Sequence, residues 1–332
     1  MNIRVLGAGI YGCHLAASLL DDGHEVEIWE SADHVFAGAS GNMPARLHTG
    51  QHYPRSQLTR RACQRHYVEF MQQYGDYTSG VEHNIYAIAE RDSLVDLGTY
   101  VQILSAEIRL EVLRHPNEFG LKNVEGAILT DERHVLVDKL AIHFMHKLGD
   151  RIEFGIRPEV VDDQNWDLTI DCTGCAFDEV DVDRYEPCLT MLLEGPTDIA
   201  VTIMDGPFPS LYPWDEEKRL SSLTSAKWTP FGRFKTWHKA KSLLDGPNFS
   251  DFLEHHATEM WSQIAFYYPR VRDEYRPVHH CVAIRPMPAS AADARLLDVR
   301  QTGHRVIRIR SGKLDAIFEA ERQVKVMLPK FA

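Results

Sequence analysis

"VLGAGIYGCHLAASLLDDGHEVEIWE", residues 5–30, carries the reading that decides the fold. With the apolar residues just before it, "IRVLG" suits a buried parallel strand. Gly7, Gly9 and Gly12 then spell G-x-G-x-x-G: the first allows a tight turn, the second lets backbone approach a pyrophosphate, and the third lets a helix pack against the strand. The pattern predicts a helix from about Ile10 to Asp21, opened by Ile10 and Tyr11, whose N-terminal amides and dipole face phosphate. "DDGHEVEIWE" adds a glycine stop and an alternating second strand ending at Glu30. A carboxylate there, roughly 20 residues beyond the glycines, hydrogen-bonds ribose hydroxyls and disfavours a 2'-phosphate. These residues announce a dinucleotide site and leave NAD against FAD open.

Working outward, the chain has 332 residues, 44% of them hydrophobic and 25% charged, enough apolar surface to fold throughout as one large core with an inserted or second domain. A formal charge of -12 argues against a nucleic-acid partner, which requires clustered Lys and Arg; the basic run "RSQLTRRACQR" reads as a solvated helix face. No stretch of apolar residues is long enough to span a membrane, and a cytoplasmic location is expected. The six cysteines do not form a secreted disulfide pattern. "CTGC" at 172–175 has redox-motif spacing but ends a buried strand instead of opening a helix. No metal site is expected from the histidines, because His143, His146, His279 and His280 lack carboxylate or Cys partners at ligand spacing.

The segment after Glu30 bears on the cofactor. A nicotinamide enzyme normally continues with further strand and helix units, whereas here "SADHVFAGASGNMPARLHTGQHYPRS" is a long polar loop, and loops of this length are more often functional than idle. Its segments "ASGN" and "LHTGQHYP" resemble those of the FAD-dependent D-amino-acid oxidase and glycine oxidase superfamily. The resemblance implies that the loop passes beside the flavin ring and diphosphate, with Ala39, Ser40, Asn42, Leu47, His48, Thr49 and Gly50 at the matching positions. His48 is where a histidine is covalently attached to flavin in some members, but the spacing from Gly41 differs, and noncovalent FAD is expected.

Further matches lie downstream. "SQLTRRACQRHYVEFMQQYG" is helical, "NIYAIAE" and "EGAILTDERHVLV" are strand-like, and "DKLAIHFMHKLG" is a helix. The resemblance places the backbone of Val160 and Val161 near adenine and makes "DLTIDCTG" the strand that delivers Thr173 and Gly174 to the nucleotide. Residues 185 to 280 hold short alternating segments suited to an antiparallel sheet, with a helix after them in "NFSDFLEHHATEMWSQIAFYYP" and Asn248 or Ser250 as its cap. "HCVAIRPMPASAADARLLDV" is similar to the family strand whose arginine grips the substrate carboxylate, which puts Arg285 in that role; a guanidinium fork suits a carboxylate. The ending "HRVIRIRSGKLDAIFEAERQVKVML" is similar to the family's last strand, turn and helix. It implies that Ser311, Gly312 and Lys313 face the flavin pyrimidine and stabilise its reduced form. Tyr212, Trp214, His52 and Tyr53 are pocket candidates.

The expectation is an α/β chain with a Rossmann-like FAD-binding domain of the glutathione-reductase-like kind, discontinuous over 1–80, 132–184 and 283–332. An antiparallel-sheet substrate domain, 81–131 and 185–282, is inserted. The expected enzyme oxidises a small carboxylate-bearing amine or amino acid by hydride transfer to flavin N5, with Arg285, Lys313 and Tyr212 catalytic and with oxygen or another acceptor as partner. The alternatives are a 2-hydroxy acid dehydrogenase and, from another class, a structural FAD-binding interaction protein.

Overall fold

Local sequence sets the first unit of the fold. The strand Asn2–Leu6 is buried along four of its five residues, and the helix Ile10–Asp21 comes next within the expected bounds. Gly12 explains how tightly they join, since a Cβ there would lie 1.9 Å from the Gly7 carbonyl oxygen. Leu15 and Leu19 of this helix are fully buried in the core beneath the sheet; each contributes about 1.5–3 kcal/mol of burial. The computed structural model describes residues 1–174, 176–177, 182–288 and 297–331. Cys175 of "CTGC" and the "SAADAR" stretch lie outside the described residues.

The first sheet has six strands in the order Asp298–Gln301, Val306–Arg310, Leu168–Asp171, Asn2–Leu6, Glu25–Glu30 and Ile152–Phe154. Five run parallel, and Asp298–Gln301 closes one edge antiparallel to its neighbour. The helices Ile10–Asp21, Val137–Leu148 and Ile317–Met327 pack on it, the last two contributing Leu140, Phe144, Ile317 and Val324 to the core that covers it. Arg4 interrupts the apolar reading of "IRVLG": it is 1% exposed. Its charge is met by Asp163 at 3.4 Å, by the carbonyls of Val160 and Val161, and by the rings of Trp29 and Trp166.

The second sheet has eight strands, ordered Arg276–Pro288, Val182–Glu194, Leu220–Ser225, Pro209–Asp215, Ile199–Met204, His83–Ala89, Val124–Leu129 and Glu111–Leu113. All pairs are antiparallel except Ile199–Met204 with His83–Ala89. The helix Phe249–Tyr267 lays Ala257, Met260 and Ile264 against it. Asn248 is the N-cap residue, though its side chain makes no capping bond, unlike Ser56, which accepts from the Thr59 amide. The paired strands Val182–Glu194 and Arg276–Pro288 run continuously through positions 184/185 and 282/283.

A small third sheet positions the site. Arg46–Leu47 pairs antiparallel with Arg133–Val135, with Leu47 opposite Arg133. The next residues outward on each strand, His48 and Glu132, are thereby brought together. The region read as one polar loop thus also contains this strand and a short helix, Ala39–Asn42. Among the described residues, no helix is long and apolar enough to cross a membrane.

Candidate active site

A cavity of about 840 Å³ opens where the carboxyl ends of the parallel strands meet the second sheet. Leu6, Glu30, Cys172 and Ser311, at or just beyond the ends of four adjacent strands, share its wall with Thr202, Ser225 and Ile284 of the second sheet. Ligands of open α/β sheets bind at such carboxyl ends.

The glycine turn forms part of the wall. Gly7, at φ +92, has the Cys172 carbonyl 3.2 Å from where a Cβ would stand, and a Cβ on Gly9 would be 3.2 Å from Ser40 Oγ. The Ile10 amide donates to Ser40 Oγ at 3.0 Å, tying the loop to the helix start. Glu30 accepts from the amides of Ala8 at 2.7 Å and Ala32 at 2.9 Å, which fixes the carboxylate at the cavity wall. Tyr11, Ala39, Thr173 and Gly174 also line the cavity, and Thr173 is held by Asp171 through its amide and hydroxyl. Gly12, Asn42, Leu47, Thr49 and Gly50 stand behind the wall. Asn42 donates to the carbonyls of Ala37 and Gly38, and Leu47 is fully buried. Near the expected adenine end the wall is formed by Ile156, Arg157 and Pro158, while Val160 points to solvent and Val161 is pinned by Arg4.

Ser311, Gly312 and Lys313 also line the cavity, one turn ahead of the helix Ile317–Met327, and the Tyr11 hydroxyl donates to the Lys313 carbonyl at 2.6 Å. Lys313 is no solvated lysine. Its ammonium contacts Cys63 Sγ at 2.7 Å, lies 3.4 Å from Asp315 and sits 4.6 Å from the Tyr53 ring centre. Burial opposes its charge, but Asp315, Tyr53 and Cys63 more than offset this and hold its pKa above the ordinary range. Burial pushes the Cys63 thiol up to about 11.

Arg285 lines the cavity with its fork closed on a protein carboxylate: Nε and Nη2 donate to Glu186 at 3.1 and 2.9 Å, and Arg233 approaches the same carboxylate at 3.3 Å. Tyr212 lies behind the wall, fully buried, its hydroxyl bonded to Asn84, and its ring 4.2 Å beneath the guanidinium of Arg46. Trp214 is likewise off the wall, whereas His48, His52 and Tyr53 line it.

Sequence reading missed Arg46 and Glu132. Arg46 is 8% exposed and faces the cavity; its Nη atoms donate to Thr202 Oγ1 and Ser210 Oγ at 3.1 and 2.6 Å, its buried Nε has no partner among the described residues, and no described carboxylate pairs with it. The fully buried Glu132 accepts from the Thr49 amide and from His48 Nδ1, each at 2.9 Å, and from the Tyr86 hydroxyl. Desolvation raises its pKa. Arg46 stands inside the long loop, and its immediate neighbours Met43, Pro44, Ala45 and Leu47 are the one local signal that sets it apart from the polar residues around it. Nothing local separates Glu132 from the surface acids around it.

The sequence model of the FAD-dependent oxidoreductase family, DAO, matches residues 2–305. The chain belongs to that family. Among curated relatives, the FAD-dependent monooxygenase FPY4 of Fusarium mangiferae is 32% identical over 334 residues, covering 97% of this chain and 90% of that protein. The FAD-dependent monooxygenase kojA of Aspergillus flavus is 30% identical over 284 residues, covering 74% of this chain and 66% of its own length. Glycine oxidase from Geobacillus kaustophilus has a similar fold, with a TM-score of 0.69 at 14% identity over 99% of this chain and 94% of that one. L-amino acid deaminase from Proteus myxofaciens gives 0.71 at 10% identity, covering 99% and 90%. The cofactor of this FAD-dependent oxidoreductase is therefore FAD and not NAD, and the chain is an enzyme, not a structural FAD-binding protein. The glycine cradle, in which Cβ atoms on Gly7 and Gly9 would crowd the turn, and the cavity volume of about 840 Å³ fit that cofactor.

Proposed function

We propose that this enzyme oxidises a small carboxylate-bearing substrate, an amino or hydroxy acid, by removal of hydride, with FAD held noncovalently. The observation that carries this reading is Arg46, a buried guanidinium on the cavity wall with no carboxylate partner among the described residues. Glu132 acts on it only from beyond ion-pair distance, so a ligand anion would be its direct partner. Gly7, Gly9, Ile10, Tyr11, Gly12, Ser40 and Glu30 would hold the ADP half, with Ala39, Asn42, Leu47, Thr49 and Gly50 shaping the loop beside it. Val160, Val161, Thr173 and Gly174 would border the nucleotide, and Ser311 to Lys313 the ring end. FAD, when bound, supplies the two-electron acceptor. Arg46 would orient the substrate's carboxylate, so the reacting carbon is presented in one pose. Arg285, already satisfied by Glu186, would shape this pocket and add net field without gripping the anion alone. The parallel sheet and its helices would serve as FAD domain and the second sheet as substrate domain, with the long strand pair at residues 182–194 and 276–288 joining them.

The test is anaerobic bleaching of the purified yellow protein by a panel of 2-amino acids, secondary amines and 2-hydroxy acids. Bleaching by at least one carboxylate, with acid precipitation releasing all colour, is expected. A flavin that no carboxylate reduces or perturbs would overturn the reading. The fungal relatives are named monooxygenases, so the aerobic product should also be checked for an oxygen atom from labelled dioxygen; its incorporation would replace simple dehydrogenation by oxygenation.

A further inference from the structure

Hydride loss from an amine and from an alcohol make different demands on a protein. A neutral amine can give up hydride to leave an iminium ion without losing a proton, whereas an alcohol that loses hydride alone leaves a protonated carbonyl, a strong acid. Alcohol oxidation therefore needs a base beside the hydroxyl. We propose that His48, oriented by Glu132, is that base, so that the substrate of this site carries a hydroxyl at the oxidised carbon.

The geometry is that of a prearranged pair. Glu132 is 0% exposed and off the cavity wall, while His48, its side chain 12% exposed, is on it. With Glu132 ionised its oxygens only accept, so His48 Nδ1 donates to Oε2 and, in the neutral imidazole, the ring's other nitrogen, Nε2, is the accepting one. Glu132 is itself fixed from several sides. Its carboxylate takes the Thr49 amide and the Tyr86 hydroxyl, its backbone carbonyl accepts from Asn84 at 3.0 Å and Tyr212 at 3.3 Å, and its amide donates to Thr130. The imidazole is stacked on His52 at 4.8 Å and meets the Tyr53 ring edge-on at 5.5 Å. Titratable and charged groups approach from every element around it: Arg46, His52 and Tyr53 along the loop, Tyr86 from the strand His83–Ala89, Glu132 before Arg133–Val135, and Lys313 over Tyr53 from the C-terminal segment. A buried carboxylate committed to one histidine is costly to keep, and an amine oxidase has no evident use for it.

In the step itself the hydroxyl O–H bond breaks as the imidazole takes the proton. The carbinol C–H bond breaks with its hydrogen departing as hydride, for which FAD, when bound, would be the two-electron acceptor, and the C–O bond becomes a carbonyl. Glu132 acts as a positioning residue that stabilises the imidazolium so formed.

This inference rests on the carboxylate reading but is tested apart from it. Holoenzyme, His48→Gln and Glu132→Gln are mixed anaerobically with 2-hydroxy acids, the matching 2-amino acids and neutral alcohols across a pH series. Each is also titrated with a 2-oxo acid, which binds without reacting and is read from the flavin spectrum. Hydroxy acids are expected to bleach the wild type faster as pH rises through the imidazole range. His48→Gln should slow that bleaching by about 100-fold or more while leaving 2-oxo acid binding within a few-fold. Glu132→Gln should slow it less and move the pH profile. Bleaching by amino acids only, or a His48→Gln protein with wild-type rate and pH profile, overturns the pair and leaves the carboxylate reading intact. His48-dependent bleaching by neutral alcohols alone supports the pair and removes the carboxylate.

Discussion

Among single residues, two arginines bear on the carboxylate-binding role that the sequence reading gave to Arg285 alone. Arg285 has the place in the strand expected of a carboxylate clamp, yet Glu186 occupies its fork; Arg46 lies over Tyr212 with only hydroxyls on its nitrogens. Arg46→Met should abolish tight binding of carboxylates, a loss of about 2–5 kcal/mol, and Arg46→Lys should recover little because an ammonium cannot reproduce the fork. The Arg46→Met protein should melt within a few degrees of the wild type, since Arg46 makes no direct ion pair with a described carboxylate, Thr202 and Ser210 already bond each other at 2.6 Å, and Glu132 loses only a favourable charge at longer range. Flavin-detected ligand titration and calorimetry check both halves. Arg285→Ala should behave differently. It leaves Glu186 buried with less compensation and should cost about 3 kcal/mol of stability, much of it recovered in the Arg285→Ala/Glu186→Ala double variant. A stable Arg285→Ala protein that has lost carboxylate binding would return the clamp to Arg285.

For the helices, what matters is how the two ends of the chain are fastened. Glu321 of the helix Ile317–Met327 reaches across to His14 at 3.0 Å and Ser18 at 2.5 Å on the helix Ile10–Asp21, and accepts from Lys325 at 2.9 Å. The bond from His14, with those from Ser18 and Lys325, outweighs desolvation and holds its carboxyl well below the usual range. A depressed folded-state pKa means that the stabilisation is complete above the unfolded carboxyl value of about 4.3. It is lost as pH falls through the folded value. Glu321→Gln should therefore lower stability by about 1–2 kcal/mol at neutral pH, and the gap to the wild type should close on acidification. A constant gap from pH 7 to pH 3 in urea melts would show that the charge is not responsible.

For the molecule as a whole, the cavity is a joint product of distant segments. The glycine turn and Ser311 to Lys313 both line it, together with residues of the second sheet. A chain ending at Gly303 loses the strand Val306–Arg310, which pairs with Leu168–Asp171, as well as the Lys313 region. It should bind FAD far more weakly than the full chain. Because such a cut also removes core residues Ile307 and Ile317, the milder Gly312→Val/Lys313→Met variant should be measured beside it by circular dichroism and flavin potential. A folded variant with unaltered affinity and potential would place this segment away from the flavin.

The sequence by itself determined the βαβ start, because the forces that shape it act over a few residues: glycine spacing, an apolar run, a helix-period face and an acid at the strand end. The helix bounds Ile10–Asp21 and the strand Leu168–Asp171 were legible for that reason. The helices Leu97–Ser105 and Trp237–Leu244 were not, being short segments that bury few residues of their own and owe their place to the sheet beside them. Partnership was decided only by the tertiary structure. Glu132 meets His48 across 84 positions and Glu186 meets Arg285 across 99. Whether an arginine is clamped or available, and whether an acid is a surface solubiliser or a buried partner of a histidine, depends on desolvation and on charges that chain folding brings within a few ångströms. Residue type and local spacing do not encode these.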